Sequence, residues 1–131
     1  MEHKNKYEAW SPLQVTAGRV LVEKLVDENE GLVIHLSFPY DPSYNEKIMV
    51  IQFSPYIAYR NMDESYRAKT VSDTGGFADS LYTVKSSSWL NWLHEESLGF
   101  YESSEIVHYS IITEADFIDV LSEFAPKVSW K

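Results

Sequence analysis

The chain has 131 residues, 44% of them hydrophobic and 15% aromatic, enough for a single domain over residues 1–131 whose core needs no cross-link. It contains no cysteine, which excludes disulfides, zinc–thiolate centres and thiol nucleophiles. Its formal charge of -9 is opposite to what contact with nucleic-acid phosphates requires.

The opening MEHKNKYEAWSP is polar, and no later segment approaches the ~18 apolar residues of a membrane span. A soluble, unprocessed, cytoplasmic protein is expected, with residues 1–11 as a disordered or loosely attached terminus. Strand signals follow. RVLVEKLV, Arg19 to Val26, is rich in aliphatic and β-branched residues, and DENEG supplies a turn. Leu32, Ile34, Leu36 and Phe38 then alternate with Val33, His35 and Ser37, the cleanest period of two in the chain. FPYDPSYN interrupts, and IMVIQF, Ile48 to Phe53, gives a third strand. Pro55 has no N–H to give a ladder, so Tyr56 to Arg60 is expected as a bent continuation or a separate strand, with a bulge or corner at the proline.

Residues 61–80, with Gly75-Gly76 among threonine, serine and aspartate, show no sustained period and predict a mobile loop. Ser86 or Ser87 then offers an N-cap and Gly99 a C-terminal stop. Between them Trp89, Leu90, Trp92 and Leu93 share a helical arc that predicts two tryptophan core anchors, with Asn91, His94 and Glu95 opposite. Glu96 falls between the tryptophans on the wheel, where the helix frays or a carboxylate meets the core boundary. Ile106 to Ile112 reads as a strand with Val107, Tyr109 and Ile111 on one face. Thr113 opens T-E-A-D in the manner of a capping box, and Phe117, Ile118, Val120, Leu121 and Phe124 fit a helical arc ending at Pro126. A strand through FIDVLS is the competing reading, and KVSW offers a short terminal strand. Together these predict an α+β fold: an antiparallel sheet of about five to six strands with two amphipathic helices packed on one face.

Motifs for chemistry are missing. The stretch Thr74-Gly75-Gly76-Phe77 lacks the second spaced glycine and the lysine of a phosphate-binding loop. His94-Glu95 begins like a zinc-protease helix, but position 98 is Leu98. His3, His35, His94 and His108 show no ligand spacing, and His35 and His108 are expected on solvent-facing strand surfaces. No cofactor and no metal are expected. Adjacent acids such as Asp63-Glu64 diverge on any regular element and make a weak acid/base pair.

Charge distribution says more. Between Lys85 and Lys127 lie eight carboxylates and no lysine or arginine, while the remaining twelve acids nearly balance the eleven bases. If the two helices lie side by side, Glu95, Glu102, Asp116, Asp119 and Glu123 share one negative surface suited to a basic protein partner. The alternative is a small-molecule-binding or enzymatic pocket near Tyr56, Tyr59, Arg60 and His35. The run WLNWLHEESLG, Trp89 to Gly99, followed by VHYSIITEADFIDVLS and APKV, resembles the C-terminal part of small uncharacterised bacterial proteins of the immunity type that accompany polymorphic toxins. That resemblance implies a non-enzymatic, neutralising partner role towards a toxin and supplies no site residues.

Overall fold

A computed structural model describes residues 5–131. The fold is α+β and antiparallel, but the strands form two sheets rather than one. The first has the order β1 (Lys6–Ala9), β6 (Leu81–Lys85), β7 (Val107–Ile112), β8 (Asp116–Ser122), β5 (Ala58–Asp63). The second runs β2 (Leu21–Glu28), β3 (Gly31–Ser37), β4 (Ile48–Phe53), β9 (Lys127–Trp130). Helices α1 (Ala68–Thr74) and α2 (Ser88–Glu96) lie in the connections flanking β6.

The period of two in β3 and β4 places the second sheet. Leu32, Ile34 and Leu36 are buried together with Met49, Ile51 and Phe53, while Val33, His35 and Ser37 turn the other way. The buried set joins Leu81, Tyr109, Ile111, Ile118 and Val120 of the first sheet in one cluster, so the sheets share a core. Each such side chain contributes about 1.5–3 kcal/mol when fully removed from water. The opposite face of the first sheet is covered as well. Tyr82, Ile112 and Phe117 cluster there with Tyr7, Val71 and Phe77.

Being covered on both faces explains the main departure from the sequence reading. The segment expected as a helix over Thr113 to Pro126 is strand β8, paired with β7 on one side and β5 on the other. Ile118 and Val120 face the shared core, and Phe117 and Leu121 face the other side, so apolar residues occur on both faces and imitate a helical arc. T-E-A-D is a hairpin turn instead. Thr113 Oγ1 accepts from the Asp116 N–H at 2.8 Å and the Thr113 N–H donates to Asp116 O at 2.9 Å.

Three smaller expectations change too. Within the predicted terminus, Lys6–Ala9 is an edge strand on β6, and Trp10 packs against the core and Tyr109; residues 1–4, with His3, lie outside the described residues. The segment 61–80 holds the end of β5, a 3-10 turn Glu64–Arg67 and α1, which ends on Gly75 in the left-handed region. After Pro55 the chain leaves the β4 ladder altogether and enters the other sheet as β5. KVSW forms β9, as its sequence suggested, pairing with β4. Among the described residues no helix is long and apolar enough to cross a membrane.

Gly31 begins β3 with φ +98°, and a Cβ built there would lie 2.2 Å from Phe53 O on the neighbouring strand. Gly31→Ala is therefore expected to lower unfolding stability by roughly 2–3 kcal/mol, read as a shift in the urea midpoint. A variant as stable as the parent would show that this strand approach is not constrained.

Candidate functional site

The outer face of the first sheet carries a buried polar cluster built by strand register. Arg60 on β5 stands opposite Asp119 on β8, and His108 on β7 lies two register pairs away on the same face, opposite Leu121. Asp119 is 0% exposed. Its Oδ2 accepts from Arg67 at 2.6 Å and from Arg60 Nε at 3.0 Å, and its Oδ1 meets His108 Nε2 at 2.7 Å. Arg67 is delivered by the 3-10 turn that Asp63 opens by accepting the Ser65 N–H. On the far side of the imidazole, Nδ1 meets Ser87 Oγ at 2.7 Å, and Ser87 Oγ also accepts the Leu90 N–H as N-cap of α2. With Nε2–H directed at Asp119, Nδ1 either accepts the Ser87 hydroxyl proton or, in the imidazolium, donates to Ser87 Oγ, so both ring nitrogens are engaged in either form.

Aromatic rings enclose the charges. Trp89 meets the His108 ring edge-on at 5.4 Å and lies 4.4 Å beneath the Arg60 guanidinium, while Phe117 lies 5.4 Å from that of Arg67. Burial alone would raise the Asp119 pKa, but the His108 hydrogen bond and the charges of His108, Arg60 and Arg67 outweigh it and hold the carboxyl below its ordinary value. Burial, followed by the neighbouring Asp119 charge, pushes the Tyr7 phenol up, so it remains protonated beside the cluster.

Serine, histidine and aspartate in sequence suggest a hydrolytic relay, and the geometry opposes it. Ser87 is 4% exposed, and its oxygen is already engaged by the Leu90 N–H, so no acyl group can approach. The cluster instead pins the N-terminus of α2 to the centre of the sheet. Among the described residues no group of three histidine or acidic side chains converges as a metal would need.

The residues expected to form one negative surface fall in three places. Asp119 is removed from it, because its two arginines and the histidine are folded over from other elements. Asp116 starts β8 while Glu123 follows its end, so by strand rise they stand about 20 Å apart. Glu95 and Glu102 are exposed on α2 and its connection to β7, and Glu123 is exposed immediately after Ser122, which pairs with Val107 at the start of β7. Glu96 and Glu105 are exposed on the same connection. Among the described residues none of these five carboxylates forms an ion pair, whereas Glu114 is taken up by Arg19.

Of the four residues of the alternative pocket, Tyr56 and Tyr59 meet edge-on at 5.4 Å, but His35 and Arg60 lie on other faces. His35 points away from the core on the second sheet, Arg60 lies on the outer face of the first, and Tyr59 packs between the sheets. Tyr56 donates to Asp27 at 2.5 Å, which pushes its pKa up to about 12. His108, expected on a solvent-facing surface, is buried in the cluster. On α2, Leu93 is the buried residue; Trp92, expected as a second anchor, is 49% exposed, and Glu96 is the last helical residue.

Sequence reasoning missed Arg60, Arg67 and His108 as partners of Asp119, and Ser87 as the partner of His108. The available signal was the lone carboxylate inside FIDVLS: once that run is a strand covered on both faces, Asp119 must be paired. Comparison with protein-family models, with curated proteins and with solved structures returned no match.

Asp119→Asn leaves the buried Arg67 guanidinium and the partly exposed one of Arg60 without their counter-charge and is expected to cost about 3–5 kcal/mol at neutral pH. Because the folded pKa of Asp119 is depressed, its contribution is complete above about pH 5 and is lost as pH falls through the unfolded value near 4 and on towards the folded one. Denaturant unfolding between pH 7 and pH 2 should show a steeper acid loss in the parent than in Asp119→Asn. Parallel curves would remove the ion cluster from the stability of the fold.

Proposed function

We propose that the chain is a non-enzymatic protein-binding module that presents the acidic end of α2 and β8 to a basic partner. The observation that carries this reading is the set of exposed carboxylates Glu95, Glu96, Glu102, Glu105 and Glu123, none in an ion pair among the described residues, on α2, its connection to β7 and the residue after β8, in a stretch without lysine or arginine. Concentrated charge of one sign raises the encounter rate with an oppositely charged protein and disfavours wrong partners. The resemblance of the same stretch to immunity proteins supports a toxin as that partner, covered by steric and electrostatic occlusion. The rigid anchoring of α2 through Ser87, His108 and Asp119 supports docking without reorganisation, which lowers the entropy lost on binding.

The test is capture from a lysate of the encoding cells, identification of the retained protein, and titration of the purified pair at low and high salt. Glu95→Lys, Glu102→Lys and Glu123→Lys combined should slow association at least ~10-fold and flatten its salt dependence. Unchanged kinetics in the triple variant would overturn the acidic docking face.

A further inference from the structure

The acidic end is tipped with apolar side chains that the fold leaves uncovered. Leu98 is 94% exposed and Phe100 78% exposed, in the connection that follows α2, and the half-exposed Trp92 precedes them on the helix. Single exposed apolar residues are ordinary on a protein surface, but two nearly bare ones on a rigid turn are not. Leu98 has φ +51°, a left-handed conformation that L side chains adopt at a cost, and Gly99 follows at φ +76°.

The turn is held by its own backbone. The Leu98 N–H donates to Glu95 O, Gly99 N–H to His94 O, Phe100 N–H to Ser97 O and Glu102 N–H to Gly99 O, all within 3.1 Å. Ser97 Oγ donates to Leu93 O at 2.6 Å, and Phe100 stacks edge-on against Tyr101 at 5.0 Å. A strained, hydrogen-bonded turn thus fixes Leu98 and Phe100 in water, with Glu95, Glu96, Glu102 and Glu105 on the same short stretch of chain. A second copy of this chain is a poor occupant, since each copy would bring the same unpaired carboxylates to the contact.

We infer that the turn at Leu98 and Phe100 is the apolar centre of a docking site for a cationic segment with an apolar face, its lysines or arginines meeting the surrounding glutamates. This rests on the acidic docking reading above and names the partner's chemistry. The apolar side chains seat in the partner's apolar strip and exclude water, and the flanking charge pairs set orientation and encounter rate.

The probe is a helical peptide of about 14 residues made of lysine and leucine, with leucines at i, i+3 and i+4, beside a control in which serine replaces every leucine. Binding of both labelled peptides is followed by fluorescence anisotropy at ~0.15 M salt. The amphipathic peptide is expected to bind at least ~10-fold tighter than the control, a difference of one power of ten in Kd. Leu98→Ser with Phe100→Ser should abolish that advantage and leave control binding unchanged; both side chains are exposed, and circular dichroism checks the fold. Equal binding of the two peptides, with salt dependence retained, overturns the apolar centre and leaves the acidic face standing. An advantage that survives in the double variant also overturns it. Binding of neither peptide overturns both readings. A parent dimer in sedimentation that the double variant abolishes makes a second copy the occupant and overturns the inference.

Discussion

One carboxylate sets the terms for the outer half of this molecule. Asp119 sits in the middle of a strand with apolar neighbours on both sides, where a lone charge is prohibitively costly, and it persists because three cationic or hydrogen-bonding groups converge on it. Those groups come from β5, the turn before α1, and β7, and His108 passes the connection on to Ser87 at the start of α2. A single desolvated ion therefore coordinates the edge strand, both helical connections and the sheet centre. Replacing such a cluster by apolar side chains of equal volume is often neutral or stabilising, so its value here lies in uniqueness of arrangement: an arginine or histidine out of place strands a charge.

The two faces of the first sheet follow different physics as a result. The inner face is close-packed hydrocarbon shared with the second sheet, including Phe53 against Tyr109 at 5.2 Å and Trp10 against Tyr109 at 5.1 Å. The outer face is mixed, with Tyr82, Ile112 and Phe117 at one end and the ion cluster at the other. The apolar end stabilises α1 without directional demands. The polar end fixes α2 by directed bonds, and α2 is the element that ends in the exposed turn.

How far the sequence could be read depended on whether one face of an element was wet. β3, with one dry face, announced itself by alternation, β4 as a short apolar run between turn signals, and α2 by its serine cap and glycine stop. β8 was read as a helix because both its faces are dry, which erases the period of two. The second sheet was missed for a related reason: alternation says that a strand has a buried side, never which strands share it. The acidic stretch was legible as composition, through the absence of lysine and arginine, while Asp119 was misplaced on its surface because charge was equated with exposure. Nothing in the spacing of Arg60, Arg67, Ser87 and His108 betrays that they meet, since register and chain crossings assemble them. The exposure of Leu98 and Phe100 carries no sequence signal, since an apolar residue beside a helix stop can pack as readily as stand in water.

The order in which the chain visits its sheets bears on how the fold is reached. β1 waits for β6, with the whole of the second sheet's first three strands made in between, and β4 gains its outer neighbour only when β9 arrives from the far side of β8. Pairings between such distant segments exact a large loop-closure entropy before any contact repays it, which puts the chain among domains that mature in milliseconds to seconds. During that interval the rim of β4, with Met49 and Ile51 beside unbonded amides, lies open to any passing strand. Pairing with β9 covers that rim, and the stacking of Trp130 on Tyr44 at 5.3 Å, with the Lys47 ammonium over both rings, is the latch that holds it closed.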